Sequence, residues 1–296
     1  MSPIFLVESP RDAFQGIRSF IPTEEKIRHI RKLIAAGFRR IDFGSFVSPQ
    51  AVPQMRDSET VLKSIEDLAE LYLIAIIVNE RGLQRATEAG RVNAVGFPFS
   101  VSNTFQLRNT KKSVQDTWPL VARLVGQCRL AGLDFIVYIS MAFGNPYGDP
   151  WAEGDVVEFL RKLRDSGAKI VYLADTTSEA TAEQIRRLVT RCLSEFPELE
   201  LGIHLHSDPA GWERKLTAAL ESGISRIDSA VAGMGGCPFA RSELVGNIPT
   251  EGVVSLLQSR GISLEIDASA LPGCVQSARR IMELYGHVRP ESSYSN

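Results

Sequence analysis

The residues best suited to chemistry in this chain are His204 and His206, separated by Leu205 and preceded by the apolar run Leu199–Ile203. In an extended strand, alternate side chains share a face, so both imidazoles would point the same way. Two imidazoles on one face make half of a metal site. Further on, Gly233-Met234-Gly235-Gly236-Cys237-Pro238 reads as a loop that presents a thiol. The combination predicts metal-assisted chemistry with a cysteine close to the ion. Two imidazoles with a carboxylate or amide oxygen suit a divalent cation that keeps open positions. Mg²⁺ or Mn²⁺ is expected, and Zn²⁺ less so, because no thiolate ligand is required.

Such residues need a frame. Apolar or β-branched segments recur at Ile4–Glu8, Arg39–Phe43, Tyr72–Val78, Val92–Phe97, Asp134–Ile139, Lys169–Leu173, Leu201–Leu205 and Arg226–Ala230. Amphipathic stretches fall between them: Thr23–Ala36, Ser58–Leu71, Ser113–Ala131, Glu153–Ser166, Thr181–Phe196 and Ala210–Ser222. Strands alternating with helices predict a parallel sheet. The 296 residues suit a single (β/α)8 TIM barrel, typically ~250 residues long, with extra helices at Thr250–Arg260 and Asp267–Tyr285. Gly37, Gly132, Gly167 and Gly223 stand where helix C-caps would precede new strands. An open doubly wound sheet is disfavoured, because no Gly-x-Gly-x-x-Gly follows the first strand. Residues 289–296 read as a flexible tail.

Composition narrows the function. With 44% hydrophobic and 23% charged residues, the chain can bury a sizeable core. A formal net charge of −2 and the lack of a basic block argue against nucleic acid or an anionic membrane as partner. No apolar run is long enough to span a bilayer. The first residues read as strand rather than signal peptide. Four scattered cysteines without Cys-x-x-Cys fit a reducing cytoplasm. Cys128 and Cys192 lie in helical patterns and read as core residues. Cys237 stands apart, among glycines.

Barrel active sites form at the C-terminal ends of the strands. There the sequence places Arg11, Asp12 and Gln15 after the first strand, and Asp42 and Ser45 at the second. Ser140 ends the fifth, Asp175 and Thr176 the sixth, and His204 and His206 the seventh. Asp228, the Cys237 loop and Asn247 follow the eighth. Taken singly, Arg11–Asp12 would be a surface ion pair, Asp42 and Asp175 helix caps, and Asp228 a structural carboxylate. Their shared placement favours a site. Arg11 offers a rigid cationic fork to a developing enolate or carboxylate, and Cys237 can move a proton.

These segments carry a family resemblance. Pro10-Arg11-Asp12-Ala13-Phe14-Gln15, Ser45-Phe46-Val47-Ser48-Pro49, Val52-Pro53-Gln54-Met55, Asp228–Ala240 and Gly246-Asn247-Ile248-Pro249-Thr250-Glu251 resemble the signatures of the 3-hydroxy-3-methylglutaryl-CoA lyases. That family belongs to a metal-dependent barrel superfamily shared with condensing synthases. The resemblance implies that Asp12, His204, His206 and Asn247 bind the cation and that Arg11 stabilises the departing enolate. Cys237 would be a general acid/base, with Asp42 and Asp175 in the catalytic set. Arg11, Gln15, Ser45, Ser140 and Thr176 would face the substrate.

The implied reaction is retro-Claisen cleavage of a 3-hydroxy-3-alkylglutaryl-CoA to acetyl-CoA and a keto acid, acetoacetate in the type reaction. A homodimer is implied as well. The chain departs from the family pattern at Asp42, where glutamate is usual, at Gly16-Ile17, and at Ser207, where aspartate follows the second histidine. Arg241–Val245 is also one residue longer than the usual connection. These departures surround the acyl substituent. Two alternatives stand beside the lyase: a synthase of the citramalate or isopropylmalate type, and a barrel subunit without catalysis.

Overall fold

The computed structural model describes residues 3–66, 68–235 and 245–286. In chain order it runs β1 (Phe5–Glu8), α1 (Pro10–Gln15), α2 (Thr23–Ala35), β2 (Arg40–Ser45), α3 (Ser58–Ser64), β3 (Tyr72–Ile76) and α4 (Glu80–Ala89). Next come β4 (Ala94–Ser100), α5 (Asn103–Thr110), α6 (Val114–Ala131), β5 (Asp134–Ser140), α7 (Glu153–Asp165) and β6 (Ile170–Asp175). The rest is α8 (Ala182–Glu195), β7 (Glu200–Ser207), α9 (Trp212–Glu221), β8 (Arg226–Ser229), β9 (Gly246–Asn247), α10 (Thr250–Ser259) and α11 (Leu271–Tyr285). Strands β1 to β8 pair in parallel, each with its sequence neighbour, and β1 pairs with β8 to close the ring. This is the expected (β/α)8 barrel.

The pleat separates two cores. Val7, Ile74, Ile76, Ala94, Ile136, Tyr138, Ile170 and Tyr172 fill the lumen. Between strands and helices lies a larger layer that includes Ile41, Val95, Val137, Leu173, Ile203 and Ile227. Cys128 and Cys192 are buried, as their helical patterns predict. The four expected cap glycines all adopt positive φ, the left-handed conformation that lets a helix stop and the next strand begin. Among the described residues, no helix is long and apolar enough to cross a membrane.

Four helices differ from expectation. Helices α4 and α5 escaped the hydrophobic pattern, although Asn79 and Ser102 cap them through their side chains. The helix expected over Ser58–Leu71 stops at Ser64, where Ile65 turns extended. Arg91 Nη1 donates to the carbonyls of Ile65 (2.7 Å) and Leu62 (3.4 Å), which satisfies that helix end. Helix α11 begins at Leu271 rather than Asp267, whose side chain accepts from Ser269 N.

Candidate active site at the barrel mouth

Strand β7 delivers both histidines to the lumen, as the alternation predicts. Their Nε2 atoms lie 3.1 Å apart, and each ring is almost fully buried. Asp12 comes from the short helix α1 directly after β1. Its Oδ2 is 3.8 Å from His206 Nε2 and 4.0 Å from His204 Nε2. Asp12, His204 and His206 each offer a ligand atom, all within 4.8 Å of one another.

The surrounding groups fit a divalent cation. His204 Nδ1 lies 3.0 Å from Asp228 Oδ2, the partner that turns the other ring nitrogen toward an ion and strengthens it as a ligand. His206 Nδ1 is buried without a hydrogen-bond partner among the described residues, and its Nε2 meets only ring nitrogen and carboxylate. Burial and the neighbouring His204 push His206 down to about 4, so its imidazole is neutral and free to ligate at neutral pH. Burial opposes ionisation of Asp12, but Arg11 and the two imidazoles outweigh it and hold the carboxylate below its usual range.

Asn247 completes the cluster. Strand β9 runs antiparallel to β7, with Asn247 opposite His206. The Asn247 amide donates from Nδ2 to Asp12 Oδ2 and to Met234 O, both at 2.8 Å. Gly235, at φ 93°, permits this approach. A Cβ there would lie 2.7 Å from Asn247 Nδ2 and 3.0 Å from Asp12 O. The segment 236–244, which carries Cys237, lies outside the described residues.

Arg11 is buried beside the cluster. Its Nε and Nη2 donate to Asp42 Oδ2 at 2.9 and 2.5 Å, and its Nη1 donates to Asp12 Oδ1 at 2.7 Å. A guanidinium has five N–H groups, so two remain for a substrate oxygen. Burial lifts Asp42 to about 6, although Arg11 pulls it down. Its Oδ1 is buried with no partner among the described residues. Strict alternation would put Asp42 and Ser45 on opposite faces. A register shift between Asp42 and Gly44 pairs them with Ile74 and Ile76, both lumen residues, so both face inward.

The remaining sequence candidates divide. Gln15 Nε2 reaches Asp12 Oδ1 at 3.3 Å from the exposed rim. Ser140 follows lumen-facing Tyr138 by two residues and shares its face. Ser45 Oγ donates to Ile76 O and accepts from Val47 N, and Thr176 Oγ1 accepts from Met141 N. The structure does not bring Asp175 to the histidines. Asp175 pairs with Leu205, which faces the helix layer, so its carboxylate points outward to Lys215 Nζ at 2.7 Å. Lys215 also donates to Ser178 Oγ and to His206 O, which ties α9 to the end of β7. Lys215→Met strands the buried Asp175 carboxylate and is expected to cost about 3–5 kcal/mol of stability, read as a loss of Tm.

Two further lumen groups border the histidines, and only Asp228 of the two is a candidate from sequence. The Tyr138 hydroxyl is buried without a partner among the described residues, and its ring packs edge-on against His204, 5.9 Å between centroids. The charges of Asp228 and Asp42 lie close enough to help burial raise its pKa. Asp228, read as a possible loop anchor, instead orients His204. Alternation signals both: Tyr138 is two residues before Ser140, and Asp228 lies opposite His204 in the ladder.

A family model described as HMGL-like matches residues 3–276. The chain belongs to the HMGL-like family. Among its relatives is the mitochondrial hydroxymethylglutaryl-CoA lyase of Mus musculus, 33% identical over 88% of this chain and 80% of that protein. A 3-hydroxy-3-isohexenylglutaryl-CoA/hydroxymethylglutaryl-CoA lyase of Pseudomonas aeruginosa is 34% identical over 95% of this chain and 92% of its own. The crystal structure of hydroxymethylglutaryl-CoA lyase from Pseudomonas aeruginosa superposes with a TM-score of 0.88, at 33% identity over 98% of this chain and 96% of that one. An HMG-CoA lyase from Acinetobacter baumannii, solved with coenzyme A and 3-methylmalate, gives a TM-score of 0.86 at 34% identity, covering 98% of this chain and 93% of that one. The matched span includes Asp12, His204, His206 and Asn247.

Proposed function

We propose that this protein is a divalent-metal-dependent carbon–carbon lyase that cleaves 3-hydroxy-3-methylglutaryl-CoA, or a close 3-alkyl analogue, by a retro-Claisen reaction. The convergence of Asp12, His204 and His206 beside the Arg11–Asp42 pair carries this reading. Relatives over most of the chain's length are named as lyases for 3-hydroxyglutaryl-CoA thioesters. Asp12, His204, His206 and Asn247 would hold Mg²⁺ or Mn²⁺, and the cation would acidify the substrate hydroxyl.

The protein's own groups perform the rest. Asp42, mostly ionised at neutral pH and with a buried Oδ1 that has no partner among the described residues, takes the proton of the tertiary hydroxyl. The new carbonyl forms as the C2–C3 bond breaks, and its electron pair passes into the thioester enolate. Arg11 stabilises that enolate oxygen with its two remaining N–H groups. Cys237 then protonates the enolate carbon to give the acetyl thioester. The protein works as a cytoplasmic homodimer in this reading.

The test is release of acetyl-CoA from 3-hydroxy-3-methylglutaryl-CoA and from longer 3-alkyl analogues, with Mn²⁺ or Mg²⁺ added. No cleavage of any of them overturns the assignment. Cys237→Ser is expected to lower kcat by about 10²–10⁴-fold, the usual contribution of a proton-transfer group, with little change in thioester binding. Equal loss of turnover and binding would remove Cys237 from the proton path.

A further inference from the structure

One buried carboxyl takes no part in the chemistry above. Val7 and Asp228, paired in the ladder, face the lumen. Glu8 and Ser229, the next pair, therefore face outward, toward the start of α10. There Glu8, Ser229 and Thr250 are all buried, at 1%, 0% and 0% exposure. Glu8 Oε2 accepts from Thr250 Oγ1 at 2.5 Å, and the Ser229 hydroxyl lies 2.7 Å from Thr250 Oγ1. Glu8 Oε1 accepts from Val231 N at 2.9 Å.

These contacts grip both feet of one excursion. The chain leaves β8 at Val231 and returns at Thr250. Between the feet, Ala230 N donates to Ile248 O at 3.1 Å and Thr250 N donates to Ala230 O at 3.2 Å. Glu251 adds a second tie, accepting from Ala232 N at 2.9 Å, where Ala232 holds φ 62°. Asn247, whose amide meets Asp12 and Met234, is only a short step from the returning foot. An apolar residue would fill the site of Glu8 without the cost of burying an acid. Burial lifts Glu8 to about 8, against the pull of the Thr250 and Val231 bonds, so it is mostly a neutral acid at pH 7. Glutamine keeps one oxygen to accept from Val231 N and offers an N–H to Thr250 Oγ1, whose hydroxyl can turn to Ser229.

We propose that Glu8 is a positioning residue for the active site: its carboxyl locks the two feet of the 231–249 excursion together and so sets Asn247 against Asp12. The proposal rests on the reading of Asp12, His204, His206 and Asn247 as the cation ligands. Glu8 touches neither cation nor substrate, so it acts through the backbone of Val231 and the Thr250 hydroxyl.

The test compares Glu8→Leu, of similar volume, with Glu8→Gln and with Asn247→Ala. Mn²⁺ affinity of the metal-free protein is measured by calorimetry, and kcat and KM are measured on the Mn²⁺-loaded protein. Glu8→Leu is expected to weaken Mn²⁺ binding and lower kcat by about 10–100-fold, the usual effect of removing a group that orients a metal ligand. Its KM should stay near the wild-type value. Glu8→Gln is expected to recover most of both losses. Wild-type Mn²⁺ affinity and kcat in Glu8→Leu, or equal losses in Glu8→Leu and Glu8→Gln, would overturn the proposal. Undiminished Mn²⁺ affinity in Asn247→Ala would overturn the ligand assignment itself, and the proposal with it.

Discussion

Arg11→Lys is expected to reduce kcat by about 10²–10³-fold, the usual cost of losing an oriented donor to a developing oxyanion. The reason is geometric. Arg11 holds Asp42 with two N–H groups and Asp12 with a third, and still has two to offer substrate. A lysine ammonium carries three N–H groups at one point and cannot span both carboxylates and a substrate oxygen. Positive charge remains in the pocket, so Asp42 and Asp12 keep part of their counter-charge. The thermal stability of Arg11→Lys should therefore fall less than that of Arg11→Met, which leaves the buried Asp42 and the half-buried Asp12 without their shared counter-charge and is expected to cost about 3–5 kcal/mol. Comparing kcat with Tm across the two variants separates the roles. If Arg11→Lys retains full turnover, the fork is needed for stability alone and the enolate must be stabilised elsewhere.

The barrel itself was written in the alternation of apolar strands and amphipathic helices, because a parallel sheet covered by helices makes continuous buried strands. His204 and His206 were legible for a second reason: period-two pairing is local and needs no tertiary knowledge. Residues that depend on register were not legible. Asp42 and Ser45 share a face only because the ladder slips at Gly44. Asp175 ends a strand, as a catalytic residue should, yet it occupies the outward phase of that strand and meets Lys215. Its neighbour in the ladder, Leu205, carried that phase, but reading it requires knowing which residues pair. Asn247 was named from motif resemblance. Its contact with Asp12 arises from a two-residue antiparallel strand against β7, too short to leave a pattern. Helices α4 and α5 were not legible because each buries few residues, Gly82, Leu83 and Ala86 in one and Phe105 and Gln106 in the other, so no broad apolar stripe marks them.

Chelation of divalent cations is expected to abolish turnover, and Mn²⁺ or Mg²⁺ to restore it. His206→Ala should not be restorable at comparable metal concentrations. Asp12, His204 and His206 converge within 4.8 Å, and loss of one imidazole removes one of the two nitrogen donors and leaves only His204 with the oxygens of Asp12 and Asn247. Because a cation that binds only the folded state stabilises it, Mn²⁺ at about 100 times its Kd should add about 2.7 kcal/mol to wild-type stability. That increment, read as a rise in Tm, should vanish in His206→Ala.

Asp228→Asn provides the finer comparison. Its side chain keeps a hydrogen-bonding oxygen for His204 Nδ1 but loses the charge that strengthens the imidazole as a ligand. The Mn²⁺-induced rise in Tm should shrink in Asp228→Asn without disappearing, and kcat should fall by about 10–100-fold. If His206→Ala still gains the wild-type increment with Mn²⁺, the cation lies elsewhere on the barrel. The His206 Nδ1, without a partner among the described residues, and the close Nε2 pair would then need another explanation. The close pair argues against that outcome. Two buried imidazole nitrogens 3.1 Å apart, with a carboxylate oxygen 3.8 Å from one of them, place three donor atoms where a single cation can reach them all.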